Sequence, residues 1–397
     1  MNMIEKSGGF IPRDISSALA DRLSKFPVVT ITGPRQSGKS TLLKEKLQNY
    51  NYVSLEDPDM RLYAEDDPRG FLRAFEAPLV IDEAQKVPEL FSYIQGIVDK
   101  EDKLGMYVLS GSQNFLLMEK ITQSLAGRIG ILRLLPLSLA ELQSAGIAPK
   151  NLDSWLFAGG YPLIYRGNDD PESYYNAYVD TYLERDVRNV KNIVDLSTFM
   201  RFVKLCAGRT GQLLNLNSLG NEAGIDSRTV RSWLSVLEAS YIIHLLSPYH
   251  KNFNKRLVKS PKLYFYDTGL AASLLGIENP DQLNTHYLRG ELFENMVVSE
   301  YYKSTFNKGK KGDAAFWRDN NGKEVDLLLG QDAGMCAFEV KSTATYSPGL
   351  FANLSSFGEF ADVPAPQRAL IYGGDKALPT SYGTVIPWRD VSDAFAA

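Results

Sequence analysis

The sequence predicts an α/β fold distributed over more than one domain. Three apolar runs, at 28–32, 79–83 and 106–110, have the composition of buried parallel strands, and a helical pattern at 42–47 follows the first of them. The length of 397 residues exceeds that of one typical domain, so we expect two or three domains.

The composition excludes several classes of protein. Hydrophobic residues make up 44% and charged residues 23%, as in ordinary globular proteins, and no run of apolar residues is long enough to span a membrane. Cys206 and Cys336 are too few for a disulfide framework, and three scattered histidines do not form a zinc site. Residues 1–10 lack the apolar core of a secretory signal, so we expect the protein in the cytoplasm.

The segment 33–41, directly after the first strand, is the strongest local signal. Its glycines allow backbone N–H groups to surround phosphates, and the helix that follows adds its N-terminal dipole. We expect Lys39 to reach the β- and γ-phosphates and the Ser40 hydroxyl to bind magnesium. The segment therefore predicts a P-loop that binds ATP and Mg²⁺. The predicted ATP-binding residues of this loop are Gly33, Pro34, Arg35, Gln36, Ser37, Gly38, Lys39, Ser40 and Thr41.

The next two strands end in residues suited to nucleotide hydrolysis. The run at 79–83 ends in Asp82 and Glu83. We expect Asp82 to hold magnesium, directly or through water, and Glu83 to orient or deprotonate the attacking water. After the third strand, Ser112 is the first candidate for a residue that senses the γ-phosphate and Asn114 the second. A plain turn at the end of the strand is the alternative.

Six short motifs along the chain point to one group of proteins. They are FPVV at 26–29, GPRQ at 33–36, IDEAQ at 81–85, SLAGR at 124–128, GGYP at 159–162 and YLERD at 182–186. Together they resemble the prokaryotic AAA-type (AAA+) P-loop ATPases that are fused to a C-terminal domain of unknown function. The resemblance implies an AAA+ core, a winged-helix middle domain and a C-terminal α/β domain with a restriction-endonuclease-like fold. We place these domains at 1–159, 160–284 and 285–397.

Two residues of these motifs acquire expected roles from the resemblance. Arg128 occupies the place where AAA-type proteins often keep an arginine for the γ-phosphate of a neighbouring subunit, which requires a homo-oligomer. An exposed arginine that pairs with a structural carboxylate is the alternative. Pro162 lies in a turn similar to the one that contacts adenine in related signalling ATPases. A simple turn at a domain boundary is the alternative.

The middle of the chain predicts three helices followed by a hairpin, the order of a winged helix. The helices are expected at 198–205, 217–223 and 227–235, with Ser227 as the N-cap of the third, and the strands at 241–246 and 262–266.

Basic residues are concentrated in the same region. The segment 201–266 contains ten basic residues and only three acidic residues. Concentrated positive charge favours contact with DNA phosphates, and the predicted DNA-binding residues are Arg228 and Arg231 on the third helix and Lys255 and Arg256 on the wing. A basic lid that packs on the ATPase core is the alternative.

The C-terminal third carries a second set of acidic residues. A helix at 288–301 contains Glu294, and strands are predicted at 322–329 and 336–341. Strand alternation places Glu324 and Asp326 on one face, and likewise Glu339 and Lys341. This is the Asp…Glu-x-Lys arrangement of restriction-type nucleases. The predicted magnesium ligands are Glu294, Asp326 and Glu339, with Lys341 serving the attacking water. In the alternative, a site that has lost activity, the lysine pairs with the carboxylates.

These predictions combine into one preferred function, ATP-dependent action on DNA in which the nucleotide controls the C-terminal domain. The rival is a signalling or assembly switch in which ATP controls contacts between proteins and the nuclease-like domain is an inactive scaffold.

Overall fold

The computed structural model describes most of the chain as two large sheets, a short hairpin and the helices that pack on them. The described residues are 10–112, 124–167, 170–187, 195–249, 259–331 and 334–395, and for 184–187 only the backbone is described.

The N-terminal part is built on a sheet of five parallel strands in the order β2-β3-β4-β1-β5. These strands are β1 (Val28–Thr32), β2 (Asn51–Ser54), β3 (Leu79–Asp82), β4 (Tyr107–Gly111) and β5 (Ile129–Arg133). Alternate strand residues contact helices on opposite faces, so β1 is buried along its whole length. The helices are α1 (Ser16–Leu23), α2 (Lys39–Lys46), α3 (Pro58–Asp66), α4 (Pro68–Ala74) and α5 (Leu90–Glu101).

The middle part follows the predicted order of three helices and a hairpin. Its elements are α6 (Leu139–Ser144), α7 (Leu152–Ala158), α8 (Pro171–Tyr178) continued by the π-helix Val179–Val187, α9 (Leu196–Ala207), α10 (Leu216–Ala223), α11 (Ser227–Ala239), β6 (Ile243–Leu246), β7 (Lys262–Phe265) and α12 (Thr268–Leu274). Strands β6 and β7 are antiparallel, with Ile243 opposite Phe265.

The N-cap of α11 is Asp226, so the prediction of Ser227 was wrong by one residue. Asp226 has an extended backbone, and its Oδ1 accepts the N–H groups of Arg228 at 2.8 Å and Thr229 at 3.0 Å. A carboxylate satisfies both free amides at once, and its negative charge also complements the N-terminus of the helix. Ser227 is therefore the first residue inside the helix.

The C-terminal part is a mixed six-stranded sheet in the order β12-β13-β11-β10-β9-β8. The strands are β8 (Ala315–Arg318), β9 (Glu324–Leu329), β10 (Cys336–Lys341), β11 (Arg368–Tyr372), β12 (Leu378–Pro379) and β13 (Thr384–Pro387), and the helices are α13 (Arg289–Asn307) and α14 (Ala352–Ala361). Strand β9 begins two residues later than predicted, because Gly322 has a φ of 85° and closes a turn with Asp319. No helix among the described residues is long and apolar enough to cross a bilayer.

Helix α13 contacts the other two parts through buried polar side chains. The side-chain amide of Asn295 accepts the N–H of Phe265 at 2.7 Å and donates to its carbonyl at 2.9 Å, so it bonds to the hairpin. Glu300 accepts the N–H of Leu139 at 2.9 Å, and Lys303 donates to the carbonyl of Leu137 at 3.0 Å. The helix is therefore bonded on one side to the hairpin and on another to the segment that follows the N-terminal sheet.

A buried histidine lies where the hairpin meets α13. The ring of His244 packs between Tyr266 at 4.9 Å and Tyr302 at 4.5 Å. Neither ring nitrogen has a hydrogen-bond partner among the described residues. Burial therefore lowers the pKa of His244 to about 3. The neutral ring borders a cavity of about 280 Å³.

This histidine predicts a loss of stability in mild acid. The unfolded chain takes up a proton below the ordinary pKa of about 6.5, whereas the folded chain does not until far lower pH. The contribution of His244 to the free energy of unfolding should therefore fall by about 1.4 kcal/mol for each pH unit below 6.5, or about 2 kcal/mol at pH 5. In His244→Phe, for which the cavity leaves room, urea titrations at pH 7.5 and 5 should show this contribution removed. His286→Phe is the matched control, and an equal pH dependence in both variants would contradict the assignment.

Candidate functional site

The glycines of the P-loop are required by its geometry. Gly33 has a φ of 155°, and a Cβ there would lie 2.0 Å from the carbonyl oxygen of Leu134. Gly38 has a φ of 95° and directly precedes the first residue of α2. Other residues rarely adopt such conformations, so only glycine lets the loop turn sharply into the helix. The predicted order of strand, glycine-rich loop and helix is present.

Lys39 and Ser37 supply the loop with groups for an anionic ligand. The buried Lys39 Nζ donates to the carbonyls of Gly33 at 2.9 Å and Pro34 at 2.7 Å. Burial lowers the pKa of Lys39 to about 8, although Glu83 and Asp82 oppose this shift. The buried Ser37 Oγ has no hydrogen-bond partner among the described residues. A cation bonded only to carbonyls and a hydroxyl without a partner both fit a loop that receives phosphate oxygens.

Asp82 receives three hydroxyl groups from three different elements. Its Oδ2 accepts the hydroxyls of Ser40 at 2.7 Å and Tyr52 at 2.5 Å, and its Oδ1 accepts that of Ser110. The predicted magnesium ligands Ser40 and Asp82 are therefore adjacent. The sequence analysis missed Tyr52 and Ser110, which fix the direction of the carboxylate. Burial and the neighbouring Asp82 hold the pKa of Tyr52 above its ordinary value, so the phenol remains a donor.

Glu83 is held beside Asp82 in a conformation that is rare for a non-glycine residue. Its φ is 54°, and its Oε2 accepts hydrogen bonds from the Gln85 amide and, at 3.3 Å, from the Ser112 hydroxyl. Strained backbone of this kind is common where a catalytic side chain must point in one direction. The structure thus brings the predicted Ser112 to Glu83, whereas Asn114 lies outside the described residues.

A cavity of about 600 Å³ joins the P-loop to the predicted adenine contact, Pro162. Its polar lining includes Lys39, Ser40, Asp82 and Glu83. The apolar lining includes Phe10, Ile11, Leu137, Pro162 and Leu163. Of these, only Pro162 was predicted, because the others are contributed by separate segments.

Arg13 is a further residue of this cavity that the sequence analysis missed. Its guanidinium is buried and donates to the carbonyls of Ser37 at 2.7 Å and Leu135 at 2.7 Å, and to Glu141 at 2.9 Å. A charged donor that bonds to a loop carbonyl in this way fixes the position of the P-loop backbone. No sequence pattern pairs position 13 with position 37 or 141, so only the fold reveals the contact.

Arg128 lies at the N-terminal end of the parallel strands, whereas the P-loop lies at their C-terminal end. Its carbonyl accepts the N–H of Val28, the first residue of β1, whereas the P-loop follows the last. Five residues of strand place it about 16 Å away. Its side chain pairs with Asp99, with Nη2 3.1 Å from Oδ2. Arg128 therefore does not reach the nucleotide site of its own chain, and its role towards a neighbouring subunit stays a prediction.

The predicted DNA-binding residues are only in part described. Arg228 and Arg231 are exposed on α11, and Lys255 and Arg256 lie outside the described residues. Lys262, which we counted among the basic residues of the wing, does not face solvent. It is 2% exposed and points into the C-terminal part. Lys262 therefore adds no positive charge to the surface of this region.

The C-terminal carboxylates form a cluster that differs in membership from the prediction. One oxygen each of Glu294, Glu324 and Asp326 lies within 4.8 Å of the others. Lys262 Nζ is 2.8 Å from Glu294 and also donates to Glu324. Burial raises the pKa of Glu294 to about 7, although Lys262 opposes this shift. Strand alternation had placed Glu324 on the face of Asp326, but we did not assign it to the site.

Glu339 and Lys341 lie next to this cluster. Lys341 Nζ is 2.7 Å from Glu339 Oε1 and 3.4 Å from Asp326 Oδ2, so the predicted Asp326, Glu339 and Lys341 are brought together. Burial, and then the negative charge of Asp326, raise the pKa of Glu339 to about 8. Glu294, Glu324 and Lys341 line a cavity of about 560 Å³ that also borders Lys262.

Comparison with known families divides the chain into three segments. A family model described as an AAA domain matches residues 25–143. Two models of domains of unknown function, DUF8612 and DUF4143, match residues 149–281 and 289–391.

Comparison with individual proteins gives relatives over most of the chain. The uncharacterized proteins Rv2008c of Mycobacterium tuberculosis and Mb2031c of Mycobacterium bovis are each 28% identical over 379 residues, which cover 93% of this chain and 81% of theirs. The Walker-type ATPase paby2304 of Pyrococcus abyssi is 15% identical, with 67% of this chain and 96% of that one covered and a TM-score of 0.47. The family match at 25–143 and the P-loop geometry agree: the chain carries an AAA-type P-loop ATPase domain and is an ATP-binding ATPase.

Proposed function

We propose that this ATPase acts on DNA, and that nucleotide binding controls helix α11, the hairpin and a nuclease-like C-terminal domain. The observation that carries the proposal is a buried hydrogen bond of 2.6 Å between the hydroxyls of Thr32 and Tyr241. Thr32 ends β1 and precedes Gly33, and Tyr241 follows α11 with a φ of 57°. A change in the P-loop therefore reaches α11 through one direct contact.

The ATP-hydrolysing step is assigned to residues of the cavity at the P-loop. Lys39 is placed to neutralise charge on the β- and γ-phosphates, and Glu83, oriented by Ser112, to position or deprotonate the attacking water. Ser40 and Asp82 would hold magnesium, which supplies positive charge to the transferring phosphoryl group when it is bound. The apolar lining of the cavity, which includes Pro162 and Leu163, suits a nucleobase.

The DNA contact is assigned to the exposed face of α11. Arg228 and Arg231 are one turn apart on this helix, and Lys204 is exposed on the neighbouring α9. We interpret α9, α10, α11 and the hairpin as a winged helix, in which α11 would enter the major groove and the wing would contact the backbone. Guanidinium groups on such a helix supply the salt-dependent part of DNA affinity.

One observation favours the rival, a nucleotide-controlled assembly switch with an inactive C-terminal scaffold. In the carboxylate cluster, Lys262 pairs with Glu294 and Lys341 pairs with Glu339. Ion pairs of this kind stabilise a fold without any metal. The two functions differ in whether the protein binds DNA and whether it cuts it.

The first prediction tests the nucleotide site. Lys39→Ala should abolish ATP binding or hydrolysis, because the phosphates lose the only lysine of the P-loop. Glu83→Gln should retain ATP binding and lose turnover by at least about a hundredfold, because only the group that acts on water is removed. Phosphate release and binding of a fluorescent ATP analogue measure the two effects. Lys103→Ala, which removes an exposed lysine elsewhere, is the control, and normal turnover in Lys39→Ala would refute the assignment.

The second prediction tests the contact with DNA. Replacing Arg228 and Arg231 together by alanine should reduce the slope of log affinity against log salt concentration by about two, because about one counterion is released for each phosphate contact. Fluorescence anisotropy with duplex DNA measures the slope. Replacing Arg69 and Arg73, exposed on α4, is the matched control for charge. An unchanged slope, or no DNA binding by the wild type at low salt, would favour the assembly switch.

A further inference from the structure

Lys262 is a buried cation that the middle part inserts into the C-terminal part. It is the first residue of β7 and is 2% exposed. Its ammonium contacts Glu294 on α13, at 2.8 Å, and Glu324 on β9. It follows the hairpin loop directly, so the position of the hairpin determines whether this ammonium lies among the carboxylates.

The carboxylates around Lys262 have the chemistry of a divalent-cation site. Three of their oxygens, one each from Glu294, Glu324 and Asp326, converge within 4.8 Å. Carboxylate oxygens are the ligands that Mg²⁺ and Mn²⁺ prefer. Three carboxylates at this distance repel one another unless a cation lies between them.

A second observation at the same place points to a missing cation. Glu339 is 2% exposed, and its Oε2 has no hydrogen-bond partner among the described residues. It lies beside Asp326, since Lys341 Nζ contacts both carboxylates. A buried carboxylate oxygen without a donor is costly, and a nearby ion of higher charge than ammonium would reduce that cost.

We infer that Glu294, Glu324 and Asp326 form a site for one hard divalent cation, and that the Lys262 ammonium is the exchangeable occupant of this site. The ammonium and the ion carry like charge, and the ammonium already contacts Glu294 and Glu324, two of the three ligands, so the two do not occupy the site together. Binding of the ion therefore requires the Lys262 ammonium to leave these carboxylates, which a movement of the hairpin would bring about. The cavity of about 560 Å³ at this cluster gives the ion a path from solvent.

This inference deepens the proposed function of the C-terminal domain and rests on it. It differs from the sequence-based assignment in two ways: Glu324 joins Glu294 and Asp326 as a ligand, with Glu339 Oε2, which is unpaired among the described residues, beside them, and a residue of the middle part controls access. A nuclease-like site that opens only when the hairpin moves would not cut DNA until the rest of the chain has bound it.

The test measures binding of Mn²⁺ to the nucleotide-free full chain by isothermal titration calorimetry and electron paramagnetic resonance. Lys262→Gln should bind Mn²⁺ at least about tenfold more tightly than the wild type, because the Lys262 ammonium no longer has to be displaced, while Arg318 and Lys341 remain as they are in the wild type. Adding Glu324→Gln to Lys262→Gln should remove this gain, because a ligand is lost. Lys259→Gln, an exposed lysine of the same segment, is the matched control and should bind as the wild type does. Equal affinity in the wild type, Lys259→Gln and Lys262→Gln, or no binding in any of them, would overturn the inference.

Thermal unfolding is a second measurement, which tests the inference even if Lys262→Gln is less stable than the wild type. Without metal, this variant should unfold at a lower temperature than the wild type, since Glu294 and Glu324 lose the ammonium that pairs with them. Mn²⁺ should then raise its unfolding temperature more than that of the wild type. A loss of stability that Mn²⁺ does not restore would show that the lysine is purely structural. ATPase and DNA-binding assays on the same preparations separate this outcome from failure of the proposed function, because neither assay depends on the carboxylate cluster.

Discussion

The buried polar side chains of helix α13 are the constraint on which the rest of the structure depends. An unpaired polar group in a protein interior costs about 1–3 kcal/mol, so each of these side chains requires its partner in one position. Asn295 bonds to both backbone groups of Phe265 in the hairpin, and Glu300 and Lys303 bond to the backbone at 137–139. These contacts set the position of the hairpin, and hence that of Lys262 against Glu294 on the same helix.

The ATPase part and the C-terminal part each contain a buried ammonium group that oxygen atoms of the protein hold in place. Lys39 is held by backbone carbonyls of the P-loop, and Lys262 by carboxylates. Burial lowers the pKa of Lys39, whereas the surrounding carboxylates outweigh burial and hold the pKa of Lys262 above its ordinary value. The same type of side chain is therefore a weaker base in the P-loop and a stronger base beside the carboxylates.

The sequence predicts those parts of the fold and the site that depend on neighbouring residues. The strand, loop and helix around 33–41, the proximity of Ser40 to Asp82 and the shared face of Glu324 and Asp326 follow from local periodicity and a few spacings. The contacts of Arg13 with Ser37, of Tyr52 with Asp82 and of Lys262 with Glu324 join residues that are 24, 30 and 62 positions apart in the sequence. They depend on how whole elements pack. The sequence could not decide whether Asp226 or Ser227 is the N-cap of α11, since both residue types are favoured at that position.

The burial of helix α13 also bears on how such a protein changes over evolutionary time. Shuffling of genes commonly exchanges segments that fold alone, and a new combination survives when few contacts cross the junction. Here the amide of Asn295, the carboxylate of Glu300 and the ammonium of Lys303 all cross it. Joining residues 289–391 to an unrelated ATPase would leave each of these groups without its partner. We therefore expect the three segments to be inherited together, with Asn295, Glu300 and Lys303 retained, since their partners in these contacts are backbone groups.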